Sequence, residues 1–165
     1  MSNDNRLDLT AFSERIATLR THVADNVVGQ SLPVHLLLTA LMADGHVLLE
    51  GVPGVAKTLL AKTLARLVRA DFRRVQFTPD LMPTDVLGTS IFNLGTQQFD
   101  FHPGPVFTQV LLVDEINRAP AKTQAALFEV MEERQVTLDG NTRRLDPCYL
   151  VIATQNPVEQ EGTYR

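Results

Sequence analysis

Residues 48 to 62 read LLEGVPGVAKTLLAK, an apolar run that meets a glycine and is followed by a stretch of helical character. The centre matches the phosphate-binding pattern G-x-x-x-x-G-K-[ST] at Gly51, Lys57 and Thr58, whereas Ala56 replaces the second glycine. Such a loop points backbone N–H groups and the positive end of a helix at phosphates. Those donors survive a change from glycine to alanine wherever φ stays negative, so the pattern still predicts a nucleotide site.

Two side chains of this segment have predicted roles of their own. Lys57 would reach the β- and γ-phosphates, and the hydroxyl of Thr58 would ligate Mg²⁺. An ordinary turn in which Lys57 faces solvent is the alternative for the same string. The other predicted cofactor contacts come from the loop and the first turn of the following helix: Gly51, Val52, Pro53, Gly54, Val55, Ala56 and Leu59.

The composition predicts a folded globular protein that does not bind nucleic acid. The chain has 165 residues, 44% of them hydrophobic and 21% charged, and a formal net charge of -4 that opposes phosphate-rich partners. A single cysteine excludes an internal disulfide, and Cys148, beside an apolar run, is predicted to be a buried thiol. No apolar run approaches the roughly 20 residues that span a bilayer. A cytoplasmic location without a membrane span is therefore expected.

Four short apolar runs predict the strands of a sheet. They cover His46–Glu50, Arg74–Phe77, Val110–Val113 and Tyr149–Ala153, and we expect them to be buried. Helices are predicted from Ser31 to Gly45 and from Lys57 to about Arg69. Buried strands that alternate with helices indicate an α/β fold with a mostly parallel sheet covered on both faces.

Three further segments are predicted around this core. A stripe of apolar residues at helical spacing, Leu9, Phe12, Ile16, Leu19 and Val23, predicts an N-terminal helical segment within residues 1–27. Residues 89–101 are consistent with a hairpin inserted after a short helix. Residues 136–145 predict a second hairpin, because Asp139 and Gly140 suit a tight turn between two short arms.

Acidic side chains follow the third predicted strand, in the string VLLVDEINR. Asp114 and Glu115 would reach the carboxyl edge of a parallel sheet, where such folds bind ligands. There Asp114 could hold a metal ion, and Glu115 could orient and deprotonate an attacking water. In isolation, the same pair could mark a plain exit from strand to loop.

Asn156, in the string VIATQNP, follows the fourth predicted strand. A side-chain amide at the same edge can hydrogen-bond the γ-phosphate or the attacking water without adding charge. Asn-Pro is also a common turn dipeptide. The loop and the acidic pair upstream favour the functional interpretation.

These strings together resemble the MoxR family of AAA+ ATPases. The resemblance rests on GVPGVAKT, DEINRA and ATQNPVEQEGTY, with FTPDLMPTDVLGT, GPVF and KTQAALFEVMEERQVT, and extends from about Val28 to Tyr164. Alanine at position 56 is common in that family. The resemblance implies a P-loop NTPase (AAA+) fold, a three-layer α/β sandwich with a mostly parallel central sheet and inserted β-hairpins.

The resemblance also implies roles that spacing alone does not give. It implies that Val28, Gly29 and Gln30 contact adenine, that Asp114 and Glu115 are the metal-binding and catalytic acids, and that Asn156 is the first sensor. Arg118 could contact a neighbouring subunit's nucleotide, or could be an exposed residue before the helix that starts at Pro120. The implied assembly is a hexameric ring that activates metabolic or metal-dependent client enzymes, often with a von Willebrand factor A-type partner.

The sequence departs from the family pattern at Arg165. There the family continues to an Asp-Arg-Phe motif with an arginine finger and to a helical lid with a second sensor. Residues 28–165 are therefore expected to form a partial AAA+ core that lacks the last strand, with Val47–Leu49 at a sheet edge and weak turnover by this chain alone. An arginine finger is worth about 10³- to 10⁵-fold in rate in related chemistry.

Two functions from different classes fit these motifs. The first is hydrolysis of Mg-ATP that drives remodelling or activation of a protein partner. The second is a nucleotide-sensing scaffold that binds without turnover. GTP is disfavoured as the nucleotide, because nothing resembles a guanine-specific Asn-Lys-x-Asp motif.

Overall fold

The computed structural model describes residues 31–50 and 57–155, together with six positions of the N-terminal segment. Those six positions are all helical and exposed: Thr10, Ser13, Glu14, Ala17, Thr18 and Thr21. The apolar stripe predicted for that helix lies outside the described residues. Within the described ranges, no helix has the length and apolar character to cross a lipid bilayer.

The elements follow the predicted order with small shifts at their ends. The helices are α1 (Ser31–Met42), α2 (Lys57–Leu67), α3 (Pro83–Leu87) and α4 (Ala121–Glu133), and a 3₁₀ turn covers Ile116–Arg118. The strands are β1 (Val47–Glu50), β2 (Phe72–Gln76), β3 (Gly88–Asn93), β4 (Gln98–Pro103), β5 (Val110–Asp114), β6 (Gln135–Leu138), β7 (Asn141–Arg144) and β8 (Leu150–Gln155).

Within residues 31–50 and 57–155, the central sheet has four parallel strands in the order β1-β8-β5-β2, which confirms the predicted parallel sheet. Its register aligns the strand ends, because Glu50 lies opposite Gln155 and Gln76 lies opposite Asp114. Four carboxyl ends therefore meet at one edge of the sheet.

Helices cover both faces of this sheet. Along β5 the side chains alternate, so that Val110 and Leu112 face one layer and Leu111 and Val113 face the other. The first face packs on α1 and α2 through Leu37, Leu38, Leu60, Ala61, Leu64 and Ala65. The second face packs on α3 and α4 through Val86, Leu127 and Val130. The predicted three-layer sandwich is therefore confirmed.

The edge strands are less buried than the sequence predicted. Burial is confirmed for β5 and β8, but it was wrong for β1 and β2, which each have one neighbouring strand in the described part of the chain. On β1, Leu48 is 51% exposed. On β2, the exposed side chains include Arg73 and Arg74, and charge on an edge strand discourages pairing with other chains.

Both predicted hairpins are present as antiparallel pairs, β3 with β4 and β6 with β7. Asp139 (φ 52°) and Gly140 (φ 74°) form the two-residue turn of the second hairpin, and positive φ at both positions is what a type I′ turn requires. At the base of the first hairpin, a Cβ on Gly104 would collide with backbone atoms of Val86 and Gly88. Close backbone packing therefore fixes where this hairpin leaves the core.

The loop before β8 corrects one prediction. Cys148 is exposed and not buried, because it lies in a turn before the strand. In this turn its backbone N–H donates a hydrogen bond to Asp146 Oδ1 at 2.8 Å. The apolar run that suggested burial begins at the next residue, where Tyr149 is buried.

His46 connects β1, β8 and α4 at the end of the sheet opposite the aligned carboxyl ends. Its Nδ1 accepts a hydrogen bond from the Val151 N–H at 3.0 Å, and its Nε2 lies 3.4 Å from the Met131 carbonyl oxygen. Both contacts are satisfied by the neutral ring with its proton on Nε2. Burial lowers the pKa of His46 below 6.5, and Arg134 lowers it further, against the raising effects of the Met131 carbonyl and Asp44.

We expect the free energy of unfolding to decrease as the pH falls below 6.5, the ordinary His46 pKa. In that range the unfolded chain binds a proton that the folded ring binds only at lower pH, so stability is fully present above 6.5 and is lost below it. His46→Ala should flatten the dependence of unfolding free energy on pH. Because the substitution leaves the buried Val151 N–H without an acceptor, it should also lower the free energy of unfolding by about 1–3 kcal/mol at neutral pH. Urea unfolding between pH 5 and 8 measures both effects, with His102→Ala on the exposed hairpin as control. An unchanged slope in His46→Ala would contradict the assignment.

Candidate functional site

The predicted acidic pair lies at the carboxyl end of β5 and is connected to β8 through one threonine. The Thr154 hydroxyl accepts a hydrogen bond from the Glu115 N–H at 3.0 Å and donates one to Asp114 Oδ1 at 3.2 Å. The backbone of Glu115 has the left-handed conformation (φ 55°). This conformation ends the strand and starts the 3₁₀ turn. The buried Thr154 therefore fixes the two acids relative to each other.

Asp114 has a partner for each carboxylate oxygen. Oδ1 accepts the bond from Thr154, and Oδ2 accepts one from Arg74 Nε at 2.6 Å. The Asp114 side chain is 12% exposed and that of Arg74 is 50% exposed. A carboxylate this buried requires such partners, because desolvation of an unpaired charge is costly.

The carboxylate of Glu115 is also engaged. Its Oε2 accepts hydrogen bonds from Gln76 Nε2 at 2.9 Å and from Arg118 Nη1 at 2.8 Å. Arg118 is partly exposed and contacts Glu115 of its own chain. The sequence predicted that it would either contact a neighbouring subunit's nucleotide or be exposed before a helix. Gln76 ends β2, so three adjacent strands contribute to one cluster at the carboxyl edge.

Lys57 and Thr58 begin α2, and both side chains are half-buried, whereas Leu59 is 50% exposed. Helix α2 follows β1 after six residues and packs on β5 and β8 through Leu60 and Leu64. In a parallel sheet, a helix in this position starts near the carboxyl edge, where its N-terminus favours anions.

The remaining predicted site residues lie outside the described part of the chain. They are Val28, Gly29 and Gln30, the loop residues Gly51, Val52, Pro53, Gly54, Val55 and Ala56, and Asn156. Asn156 follows Gln155, the last residue of β8, whose register partner is Glu50 at the end of β1. Its predicted role stays a prediction.

Arg74, Gln76 and Thr154 were not predicted as site residues, although all three contact the acidic pair. Two of them were recognisable in principle, because Gln76 and Thr154 are polar residues near the ends of apolar runs. The contact of Arg74 depends on the pairing of β2 with β5, which is not visible in either segment alone.

The cluster offers oxygen atoms and hydrogen-bond donors at the carboxyl edge of a parallel sheet. Carboxylate and hydroxyl oxygens are suited to Mg²⁺, which is usually held by one or two carboxylates together with substrate phosphates. Among the described residues, no three His, Cys, Asp or Glu side chains are grouped as metal ligands. A cation at Asp114 would therefore take further ligands from hydroxyls, water and a bound phosphate.

The fold and this edge define the class of protein as an α/β NTPase of the P-loop type. The strand before the phosphate-loop sequence lies beside β8, and Asp114 of the acidic pair ends the next strand in the sheet. Consistent with this class, the sequence profile of an ATPase family associated with various cellular activities (AAA) matches residues 46–165.

Individual relatives agree with the profile. The chain is 56% identical over 138 residues to chaperone MoxR1 of Mycobacterium tuberculosis, covering 84% of this chain and 37% of that protein. It is 37% identical over 162 residues to protein MoxR of Methylorubrum extorquens, covering 94% of this chain and 46% of that protein. A crystal structure of a protein assigned as an ATPase from Cytophaga hutchinsonii has a TM-score of 0.75 and 48% identity, covering 97% of this chain and 51% of that one.

The chain belongs to the AAA family of ATPases and is of the MoxR type. It spans about half the length, or less, of the three relatives reported above, between 37% and 51%. Membership of the family confirms the recognition and the fold class that the motifs predicted.

Proposed function

We propose that this chain binds and hydrolyses Mg-ATP to drive chaperone-like remodelling or activation of protein partners. The observation that carries the proposal is the acidic pair Asp114 and Glu115, fixed by Thr154 at the carboxyl edge of the sheet. Family membership supports nucleotide use, and the phosphate-loop sequence leads into α2 near the same edge.

The side chains predicted to act on phosphate, metal and water each have a definite task in this reaction. Glu115 accepts a proton from the water that attacks the γ-phosphate, and Lys57 donates hydrogen bonds to the β- and γ-phosphates. Asp114 and Thr58 hold Mg²⁺, which when bound offsets the charge of the phosphate oxygens. Asn156 hydrogen-bonds the γ-phosphate or the water, and residues 28–30 contact adenine. The oxygen donors of Asp114 and Thr58 fit this cation.

The partners are part of the proposal, and the name of one relative supports an action on proteins. One relative is named a chaperone, and we propose that this chain likewise acts on proteins, as part of a hexameric ring with a von Willebrand factor A-type partner and a client enzyme. Arg118 would contact a neighbour's nucleotide in that ring. To do so it must leave Glu115, to which it donates a hydrogen bond at 2.8 Å.

A nucleotide-sensing scaffold without turnover is the second candidate. The observation that favours it is that both acids already contact arginines, Asp114 with Arg74 and Glu115 with Arg118. Acids held in this way could respond to a bound nucleotide without activating water.

Phosphate release from Mg-ATP over a hundredfold range of protein concentration separates the two candidates. If subunits complete one another's sites, release per chain should rise with concentration, because association is a mass-action process. A scaffold should bind ATP and release no phosphate at any concentration. Release per chain that stays constant while the chain remains monomeric over the whole range would instead indicate that each chain works alone, which would contradict the ring.

A further inference from the structure

Arg74 makes an unusually direct contact with the predicted metal-binding acid. Its Nε lies 2.6 Å from Asp114 Oδ2, slightly shorter than the roughly 2.7–2.9 Å of charge-assisted N–H···O bonds, and Asp114 is almost buried. The other oxygen, Oδ1, already accepts the bond from Thr154 at 3.2 Å. A cation that approaches Asp114 must therefore compete chiefly with the Arg74 guanidinium.

We propose that Arg74 is a positioning residue that competes with the divalent cation for Asp114 Oδ2 and thereby sets how much Mg²⁺ the nucleotide site requires. The inference rests on the proposed function, because it assumes that nucleotide and cation bind at this edge. It assigns a role to a residue that no motif singles out.

The chemistry of the two side chains supports competition over a purely structural pair. A guanidinium stays protonated at all physiological pH values, so it always presents a positive charge to the approaching cation. Because the Arg74 side chain is half exposed, it can turn towards solvent, whereas Asp114 and Thr154 are held in the sheet. Displacement of Arg74 would leave Oδ2 available while Thr154 still orients Asp114.

The neighbouring residue on β2 provides a matched control. Arg73 has the same side chain and is also exposed, but its Nη1 donates to the Gly104 carbonyl oxygen at 3.2 Å, away from the acidic pair. Arg73 and Arg74 are neighbours on β2. Because successive side chains of a strand point to opposite faces of the sheet, the two arginines contact different groups.

The test is the Mg²⁺ dependence of ADP affinity, measured by calorimetry in EDTA and at increasing free Mg²⁺. For Arg74→Met, the Mg²⁺ concentration that gives half of the affinity gain should fall about three- to tenfold, the effect of removing one partly exposed charge-assisted contact. ADP affinity in EDTA should stay within about twofold of the parent value, since the competition concerns the cation alone. Arg73→Met should show neither change.

Two results would overturn the inference. One is a midpoint that is unchanged or higher in Arg74→Met, which would mean that Arg74 supports metal binding or is irrelevant to it. The other is an equal loss of ADP affinity with and without Mg²⁺, which would make Arg74 a phosphate contact. Arg74→Lys keeps the charge but loses the Nε donor, and should shift the midpoint in the same direction by less. It also serves as the test should Arg74→Met fail to fold.

Failure of the proposed function would look different. If the parent chain binds no ADP at any Mg²⁺ concentration, the nucleotide site itself is absent and the inference falls with it. If the parent binds ADP and Lys57→Ala weakens that binding, the site is present, and the Arg74 results then decide the inference alone.

Discussion

Phosphate release from Mg-ATP by the Glu115→Gln variant is expected to fall by about 10²- to 10⁴-fold, the usual contribution of a positioned general base. Glutamine retains the shape of glutamate but cannot take a proton from water. ATP binding should persist, because Glu115 is predicted to contact the attacking water and not the nucleotide. Single-turnover phosphate release and equilibrium ATP binding measure the two quantities separately.

The geometry makes this substitution a mild one for the fold. Gln76 and Arg118 both donate to Glu115 Oε2, and the amide oxygen of glutamine can accept the same two hydrogen bonds. The Glu115 N–H continues to donate to Thr154, since only the side chain changes. A loss of turnover would therefore report on lost basicity and not on a rearranged site.

An exposed glutamate on α4 gives the control for this experiment. Glu132→Gln removes the same charge and leaves the acidic pair untouched, so its turnover should match the parent. Equal turnover by Glu115→Gln and the parent would show that Glu115 is not the base. A parent chain that binds ATP without releasing phosphate would favour the scaffold.

Much of the fold could be predicted because its signals are local. Each apolar run that ends at a polar or glycine residue became a strand, and the turn at Asp139 and Gly140 was recognisable because few residue pairs tolerate positive φ twice in succession. The acidic pair was found for the same reason, since Asp114 ends its strand and Glu115 follows it directly.

The rest depends on how separate segments meet. The contact of Arg74 with Asp114 and that of Gln76 with Glu115 each require β2 to lie beside β5 in one register. Burial shows the same dependence: Val110 and Leu48 lie in similar apolar runs, yet a central strand buries the first and an edge strand exposes the second. The turn around Cys148 likewise exposes a residue that adjacency to an apolar run suggested was buried.

Nucleotide binding by the Lys57→Ala variant is expected to weaken by about 10- to 100-fold. Lys57 is the first residue of α2, so its ammonium adds a full charge to the positive end of the helix dipole. A hydrogen bond to a charged group contributes about 1.5–3 kcal/mol, and each 1.4 kcal/mol is a factor of ten in Kd. Titration with a fluorescent ATP analogue, in the presence of Mg²⁺, gives the two dissociation constants.

Lys62→Ala is the matched control, because Lys62 is an exposed lysine on the same helix. Its Nζ lies 6.0 Å from the centre of the Phe72 ring, and it is five residues beyond Lys57. Removing it changes the net charge equally but leaves the helix N-terminus intact, so affinity should change by less than about twofold. Equal weakening in both variants would indicate nonspecific attraction of the nucleotide. Loss in Lys57→Ala alone would locate the phosphates at the start of α2, whether or not the chain then hydrolyses ATP.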